Sequence, residues 1–163
     1  LTKVKEMAAK ISEDYKDSDL VVVGVLKGSV VFTSDLLKYI TVPCVLDFMA
    51  VSSYGLSSES SGIVKIIKDL DYDIEGKDLL IVEDIVDTGT TLKYLLEYLK
   101  ARKAKSVAIA SLLSKPSRRK TEVDIKYLGF DVPDEFIVGY GIDYAEGYRN
   151  APYIGVLKEE IYK

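Results

Sequence analysis

The chain contains no histidine, and that absence excludes more chemistry than any other feature. Ser-His-Asp triads, Cys-His pairs and His-ligated zinc are all ruled out. Catalysis, if present, must run on carboxylates, lysine, tyrosine, backbone dipoles and a hard metal held by oxygen. Cysteine is nearly as scarce. Cys44 stands alone, so no internal disulfide can form, which suits a reducing, cytoplasmic setting. No apolar run approaches the roughly 20 residues that a membrane helix needs, and the opening residues lack the pattern of an export signal. A surplus of basic charge is missing too. With 22 Lys and Arg against 26 Asp and Glu, the net charge is −4, a balance that argues against a protein built to coat nucleic acid.

What is present fits an ordinary globular chain. Its 163 residues, 48% hydrophobic and 29% charged, suggest one domain over residues 1–163, able to remove about two-thirds of its unfolded surface from water. Val4, Met7, Ala8, Ile11 and Tyr15 recur at helical spacing, which predicts a helix over residues 2–16. The β-branched run 20–26 reads as a strand buried on both faces. A helix is expected over 29–39, a strand over 44–51, and strand character again over 62–68. Leu79 to Val82 predicts a buried strand closed by Glu83 and Asp84. Leu92, Leu95, Leu96 and Leu99 share a face of a helix over 90–101, followed by a strand over 106–113. Shorter strands are expected at 125–130, 136–140 and 152–157. Alternating strands and helices imply right-handed crossovers and a mainly parallel, twisted α/β sheet flanked by helices.

In such sheets ligands bind beyond the carboxyl ends of the strands. Between a buried strand and a helix stands Ile81-Val-Glu-Asp-Ile-Val-Asp-Thr-Gly-Thr-Thr91. Gly89 permits a tight turn, and successive N–H groups at a helix start make a site for a phosphate dianion. The carboxylates of Glu83 and Asp84 suit sugar hydroxyls, or waters around magnesium. Read alone, Asp87 and Thr88 are an N-cap and Glu83-Asp84 a solvated strand end; the whole arrangement favours the binding reading. It is neither a Walker A loop nor a dinucleotide-binding glycine loop.

Ile81 to Thr91 resembles the phosphoribosyl-pyrophosphate signature of type I phosphoribosyltransferases. The resemblance extends in collinear order from about residue 20 to 157 and points to the 6-oxopurine branch. It implies a phosphoribosyl-pyrophosphate site made of Glu83, Asp84, Asp87, Thr88, Gly89, Thr90 and Thr91, in which Glu83 and Asp84 contact ribose hydroxyls and Thr88, Gly89, Thr90 and Thr91 cradle the 5-phosphate. Asp87 would face N7 of the purine and manage its proton, where adenine and orotate enzymes usually carry a small residue. Lys27 and Gly28 would form the pyrophosphate loop, with Arg149 as a further pyrophosphate cation. Lys115 would donate to the 6-oxo oxygen, Phe136 would stack on the base, and main-chain groups at Ile137 would read its edge. Asp143 would bind Mg2+, with Glu83 and Asp84 as further candidates. A small hood, a mobile lid carrying Ser53 and Tyr54, and a homodimer or homotetramer complete what the resemblance implies. One departure is Thr90, where many relatives carry Lys.

The implied activity is salvage: hypoxanthine or guanine plus 5-phosphoribosyl-1-pyrophosphate giving IMP or GMP plus pyrophosphate. The small-molecule partners are therefore a 6-oxopurine base and phosphoribosyl pyrophosphate, with no membrane and no nucleic acid. A 2-amino group needs only one or two backbone acceptors, so the sequence does not rank hypoxanthine, guanine and xanthine. The rival class is a regulator that keeps the fold and senses nucleotide or binds RNA. The acidic balance and the set Lys27, Glu83, Asp84, Asp87, Asp143 and Arg149 argue against it.

Overall fold

The computed structural model of the protein describes residues 1–52 and 64–163. The β-branched run becomes β1 (Leu20–Leu26), buried along nearly its whole length. It is followed by β2 (Cys44–Ser52), β3 (Lys65–Lys68), β4 (Asp78–Val86), β5 (Ser106–Ser114) and β6 (Tyr127–Asp131). These form one sheet in the order β3-β2-β1-β4-β5-β6. All neighbours pair in parallel except β3, which runs antiparallel to β2. The mainly parallel α/β sheet expected from alternating elements is therefore what the chain forms.

Side-chain alternation sorts each central strand into two cores. Leu20, Val22, Leu80, Val82 and Ala110 face one way, against α1 (Thr2–Asp14) and α2 (Val30–Tyr39), which contribute Ile11, Phe32 and Leu36. Val21, Val23, Leu79, Ile81 and Ile109 face the other way, onto Leu92, Leu95 and Leu99 of α3 (Thr90–Ala101). Two-sided burial explains why these strands read as continuous apolar runs. Among the described residues no helix is long and apolar enough to cross a membrane.

Four details differ from the expectation. The fourth strand does not close at Glu83 and Asp84, because pairing with β5 continues through Glu83↔Ser111 to Val86↔Ser114. Both acids thus sit inside a paired strand. The expected C-terminal strands shrink to β7 (Ile137–Val138) and β8 (Gly155–Val156), a small antiparallel hood. The intervening chain winds through left-handed residues, including Tyr140, Ala145, Glu146 and Tyr148, and cannot stay extended. A last short helix, α4 (Glu159–Tyr162), was not expected from periodicity. Of the strand expected over 62–68, Lys65–Lys68 forms β3, and its first residues fall outside the described set.

Because β1, β4, β5 and β6 are mutually parallel, their carboxyl ends open along one edge of the sheet. Lys27, Asp87, Lys115 and the 132–136 segment each follow one of these ends. The topology, rather than any local spacing, gathers them.

Candidate active site

The floor of the site is the acidic end of β4. Asp84 Oδ1 accepts the Ile85 N–H at 2.7 Å. Its other oxygen lies directly against Gly28, where an added methyl carbon would stand 2.0 Å from Oδ2. Burial pushes the Glu83 carboxyl well above the usual carboxylate range, and neighbouring Asp84 adds to the rise. Glu83 still reaches the cleft with part of its surface, but protein surrounds most of it. Burial also raises Asp84, opposed chiefly by the Ile85 N–H and more weakly by the charge of Arg149. Two adjacent acids in poorly solvated surroundings are short of positive charge and donors, a deficit that sugar hydroxyls or a cation would relieve.

That deficit has a measurable consequence. A carboxyl raised on folding holds its proton to higher pH than the unfolded chain does. Between the ordinary carboxylate range and its raised value the native state binds more protons, so stability falls as pH rises through that window. At neutral pH the group therefore disfavours folding. Glu83→Gln is expected to raise the melting temperature at pH 7, with a smaller gain near pH 4.5. An unchanged or lowered melting temperature at pH 7 would show that the carboxyl is not under this stress.

Beyond β4 the chain turns at Gly89, whose φ of +84° precedes α3. Any side chain there would be doubly penalised, by that φ and by the Thr121 carbonyl, 2.5 Å from an added Cβ. The loop after β5 is stitched onto the turn, with Lys120 and Thr121 N–H groups donating to the Thr88 carbonyl at 2.9 and 3.0 Å. Thr90 N–H reaches Thr88 Oγ1 at 3.4 Å. The resulting cavity, of about 190 Å³, is lined by Glu83, Asp87, Thr88, Gly89 and Thr91. Helix-start N–H groups, threonine hydroxyls and the positive end of the α3 dipole make it suited to an anion. Thr90 without a lysine ammonium leaves that task to neutral donors.

A second cleft, of about 430 Å³, adjoins the first and is lined by Asp87, Lys115, Arg118, Asp134, Phe136 and Tyr162 among others. Arg118 Nε donates to Asp87 Oδ1 at 2.7 Å, and its Nη1 lies 3.5 Å from Asp134 Oδ2. Lys115 Nζ stands 3.8 Å from Asp134 Oδ1. The Phe136 ring is half exposed. Tyr144 meets it edge-on at 5.9 Å, and Tyr162 of α4 lies 4.2 Å away. The Leu157 N–H donates to the Phe136 carbonyl at 2.7 Å, and Ile137 pairs with Val156. In an antiparallel ladder these pairs alternate, so Ile137↔Val156 is the non-hydrogen-bonded one. The main-chain N–H and C=O of Ile137 therefore point away from β8, available to a ligand edge.

The third part is the winding after β7. Lys27 Nζ and Arg149 Nη2 both bind Glu146, at 3.1 and 3.2 Å. Arg149 also contacts Asp143 Oδ1 at 3.5 Å and donates to the Gly141 carbonyl at 2.8 Å. Asp143 Oδ2 accepts the Glu146 N–H at 2.8 Å. The hydrogen bond from Lys27 holds the Glu146 carboxyl below its usual range. Lys27 and Glu146 are both largely exposed, so their pairing stabilises the fold little and an incoming anion can replace it. Arg149 Nε is buried and, among the described residues, has no hydrogen-bond partner. The Leu26–Lys27 peptide is cis.

Glu83, Asp84 and Asp143 do not converge into a cage: among the described residues no cluster of three or more carboxylate, cysteine or histidine side chains stands ready for a metal. That donor set nevertheless fits magnesium, which keeps several waters and uses one or two carboxylates together with substrate phosphate oxygens. Ser53 and Tyr54 lie outside the described residues. Sequence reasoning missed Arg118, Asp134, Glu146 and Tyr162. Only the basic run Lys115-Pro-Ser-Arg-Arg-Lys120 carried a signal for any of them.

Comparison with known proteins adds to this geometry. A family model described as the phosphoribosyl transferase domain matches residues 1–145. A hypoxanthine-guanine phosphoribosyltransferase of Bacillus subtilis is 56% identical over 161 residues, 99% of this chain and 89% of that protein. One from Streptococcus agalactiae is 54% identical over 162 residues, 99% and 90% of the two chains. The crystal structure of a hypoxanthine phosphoribosyltransferase from Staphylococcus aureus superposes with a TM-score of 0.94 at 52% identity, covering 99% of this chain and 90% of that one.

Proposed function

The chain belongs to the phosphoribosyl transferase family, and from that premise we propose that it is a purine-salvage enzyme converting hypoxanthine or guanine and phosphoribosyl pyrophosphate to IMP or GMP and pyrophosphate. The observation that carries this reading is that Asp87 lines both the anion cavity and the aromatic cleft. A sugar phosphate in the first and a flat base in the second would meet beside one carboxylate.

In the reaction, the C1–oxygen bond to pyrophosphate breaks and a bond from C1 to purine N9 forms. The ribose gains positive character as the first bond stretches, and Glu83 and Asp84 fit that charge while gripping the hydroxyls. Lys27 and Arg149 exchange Glu146 for pyrophosphate oxygens and stabilise the leaving anion. Asp87 accepts the N7 proton of the base as N9 attacks, so the neutral nucleotide ring is left. Magnesium, held through Asp143 or the Glu83-Asp84 pair, would supply further neutralisation of the pyrophosphate when bound.

The first test is pyrophosphate release from phosphoribosyl pyrophosphate and magnesium, scanned over hypoxanthine, guanine, xanthine, adenine and uracil. Release that requires hypoxanthine or guanine supports the reading. Release with none of the bases, despite tight phosphoribosyl-pyrophosphate binding, would replace it with a nucleotide-sensing role. Lys115 is largely buried, with Asp134 near its ammonium, which suits a donor to the 6-oxo oxygen. Lys115→Met should lower kcat/KM for hypoxanthine by about 10- to 100-fold, the worth of a hydrogen bond from a charged donor. Adenine should lose far less, so the ratio of the two is the readout, and an unchanged ratio would remove Lys115 from base selection. A cytoplasmic homodimer or homotetramer belongs to the same reading, supported by unpaired Cys44 and by Phe130, Tyr153 and Ile154 exposed around an apolar groove. A monomeric sedimentation coefficient at micromolar concentration would remove the assembly.

A further inference from the structure

Arg118 has no role in the chemistry described so far, yet it hydrogen-bonds directly to the Asp87 side chain. Its backbone is anchored to the strand end that carries Asp87. The loop starts with the Lys115 N–H donating to the Val86 carbonyl at 2.9 Å, and a single 3-10 turn, Pro116–Arg118, is closed by the Arg118 N–H on the Lys115 carbonyl at 3.0 Å. Pro116 fixes the backbone at the start of that turn. From this base the guanidinium reaches across the rim, with Nε on Asp87 Oδ1 at 2.7 Å and Nη1 3.5 Å from Asp134 Oδ2. Asp134 faces Lys115 through its other oxygen at 3.8 Å. Charges therefore alternate around the cleft in the order Asp87, Arg118, Asp134, Lys115.

As a stabilising element this chain is weak, because Arg118, Asp87 and Asp134 are each about half exposed and solvent screens such pairs. Its geometric effect is larger. A planar guanidinium that bridges two carboxylates through separate nitrogens fixes the plane of each. With Oδ1 of Asp87 engaged, Oδ2 is left to meet the base, and Asp134 is held where it faces Lys115. Small displacements of a reacting group are costly to rate even when binding is intact.

We infer that Arg118 is a positioning residue of the transfer reaction: it holds the Asp87 carboxylate in the orientation that accepts the base proton and, through Asp134, sets the Lys115 side of the same cleft. The inference rests on the proposed transferase reading. A lysine cannot bridge both acids in this way, so the arginine is specific to the arrangement.

The experiment is a double-mutant cycle on the full chain, with hypoxanthine and phosphoribosyl pyrophosphate at saturating magnesium. Arg118→Gln is expected to lower kcat by about 10-fold, the scale of modest misalignment of a reacting group, with KM for phosphoribosyl pyrophosphate unchanged. In the Asp87→Asn background the same substitution should have almost no further effect. Arg118→Lys should fall between wild type and Arg118→Gln, and all variants should melt close to wild type. Unchanged kcat in Arg118→Gln overturns the inference. So does an equal loss in the Asp87→Asn background, or a loss confined to KM for phosphoribosyl pyrophosphate, which would make Arg118 a direct substrate contact. A wild-type chain without turnover removes the transferase reading and this inference with it, whereas an active wild type with an indifferent Arg118 removes the inference alone.

Discussion

Asp87→Asn is expected to lower hypoxanthine turnover by about 10²- to 10³-fold, within the range that a positioned general base contributes, while phosphoribosyl-pyrophosphate affinity stays nearly constant. The substitution keeps the shape of the side chain and the oxygen that accepts from Arg118 Nε. It removes only the negative charge and the capacity to take a proton. The fold should tolerate it, because the lost ion pair is half exposed and Arg118 retains Asp134. The anion cavity should tolerate it as well, since Thr88, Gly89 and the start of α3 shape that cavity through their backbone. The base, by contrast, loses its proton acceptor. Single-turnover rates with saturating substrates, beside calorimetric titration of phosphoribosyl pyrophosphate and magnesium, separate the two effects. Turnover at the wild-type level would mean that N7 is served by solvent or by another group, and Asp87 would leave its assigned role. Loss of phosphoribosyl-pyrophosphate binding in step with turnover would instead make the carboxylate part of the sugar-phosphate site.

The sheet and its two cores were legible because burial writes directly into the sequence. The runs at 20–26 and 79–82 had to be covered on both sides, and the leucines of 92–99 had to face something apolar. The phosphate turn was legible for a related reason: Gly89 occupies a left-handed, crowded position that leaves a local signature. Strand limits at Glu83 and Asp84 were misread, because a carboxylate looks like an ending although the backbone ladder to β5 does not depend on it. The strands expected at 136–140 and 152–157 end short, at Val138 and from Gly155, because Gly139, Tyr140 and Gly141 take up left-handed backbone that the apolar pattern around them does not announce. The charge chain through Arg118 and Asp134 was illegible for a tertiary reason. These residues follow two different strands, and only the parallel alignment of β4, β5 and β6 brings their loops to one cleft. Glu146 is the same case: it neutralises Lys27 across a sequence separation of 119 residues, a distance over which spacing holds no information.

Gly28→Ala should be strongly damaging to activity. An added Cβ would lie 2.0 Å from Asp84 Oδ2 and 2.8 Å from its Cγ, distances that no repacking leaves in place. Asp84 has little room to yield, being short, rooted in the central strand β4 and held through Oδ1 by the Ile85 N–H. The Gly28 loop is confined from behind as well, since its carbonyl stands 2.6 Å from where a Cβ on Gly141 would be. Either the Asp84 carboxylate rotates away or the loop carrying Lys27 shifts outward, and each outcome spoils a group assigned to the sugar or the pyrophosphate. A displacement on the order of 1 Å in a reacting constellation costs roughly 10²-fold in rate, so kcat/KM for phosphoribosyl pyrophosphate should fall at least that far. Stability should fall by about 1–3 kcal/mol, the usual cost of overpacking. A second substitution separates the steric cause from the functional one. In Gly28→Ala/Asp84→Ala the clash is gone, so the melting temperature should recover most of its loss while activity stays low for want of the carboxylate. Wild-type kinetics in Gly28→Ala would show that the contact is soft and that Asp84 is not fixed by it. Failure of the double variant to regain stability would place the strain on the Gly28 backbone rather than between the methyl and the carboxylate.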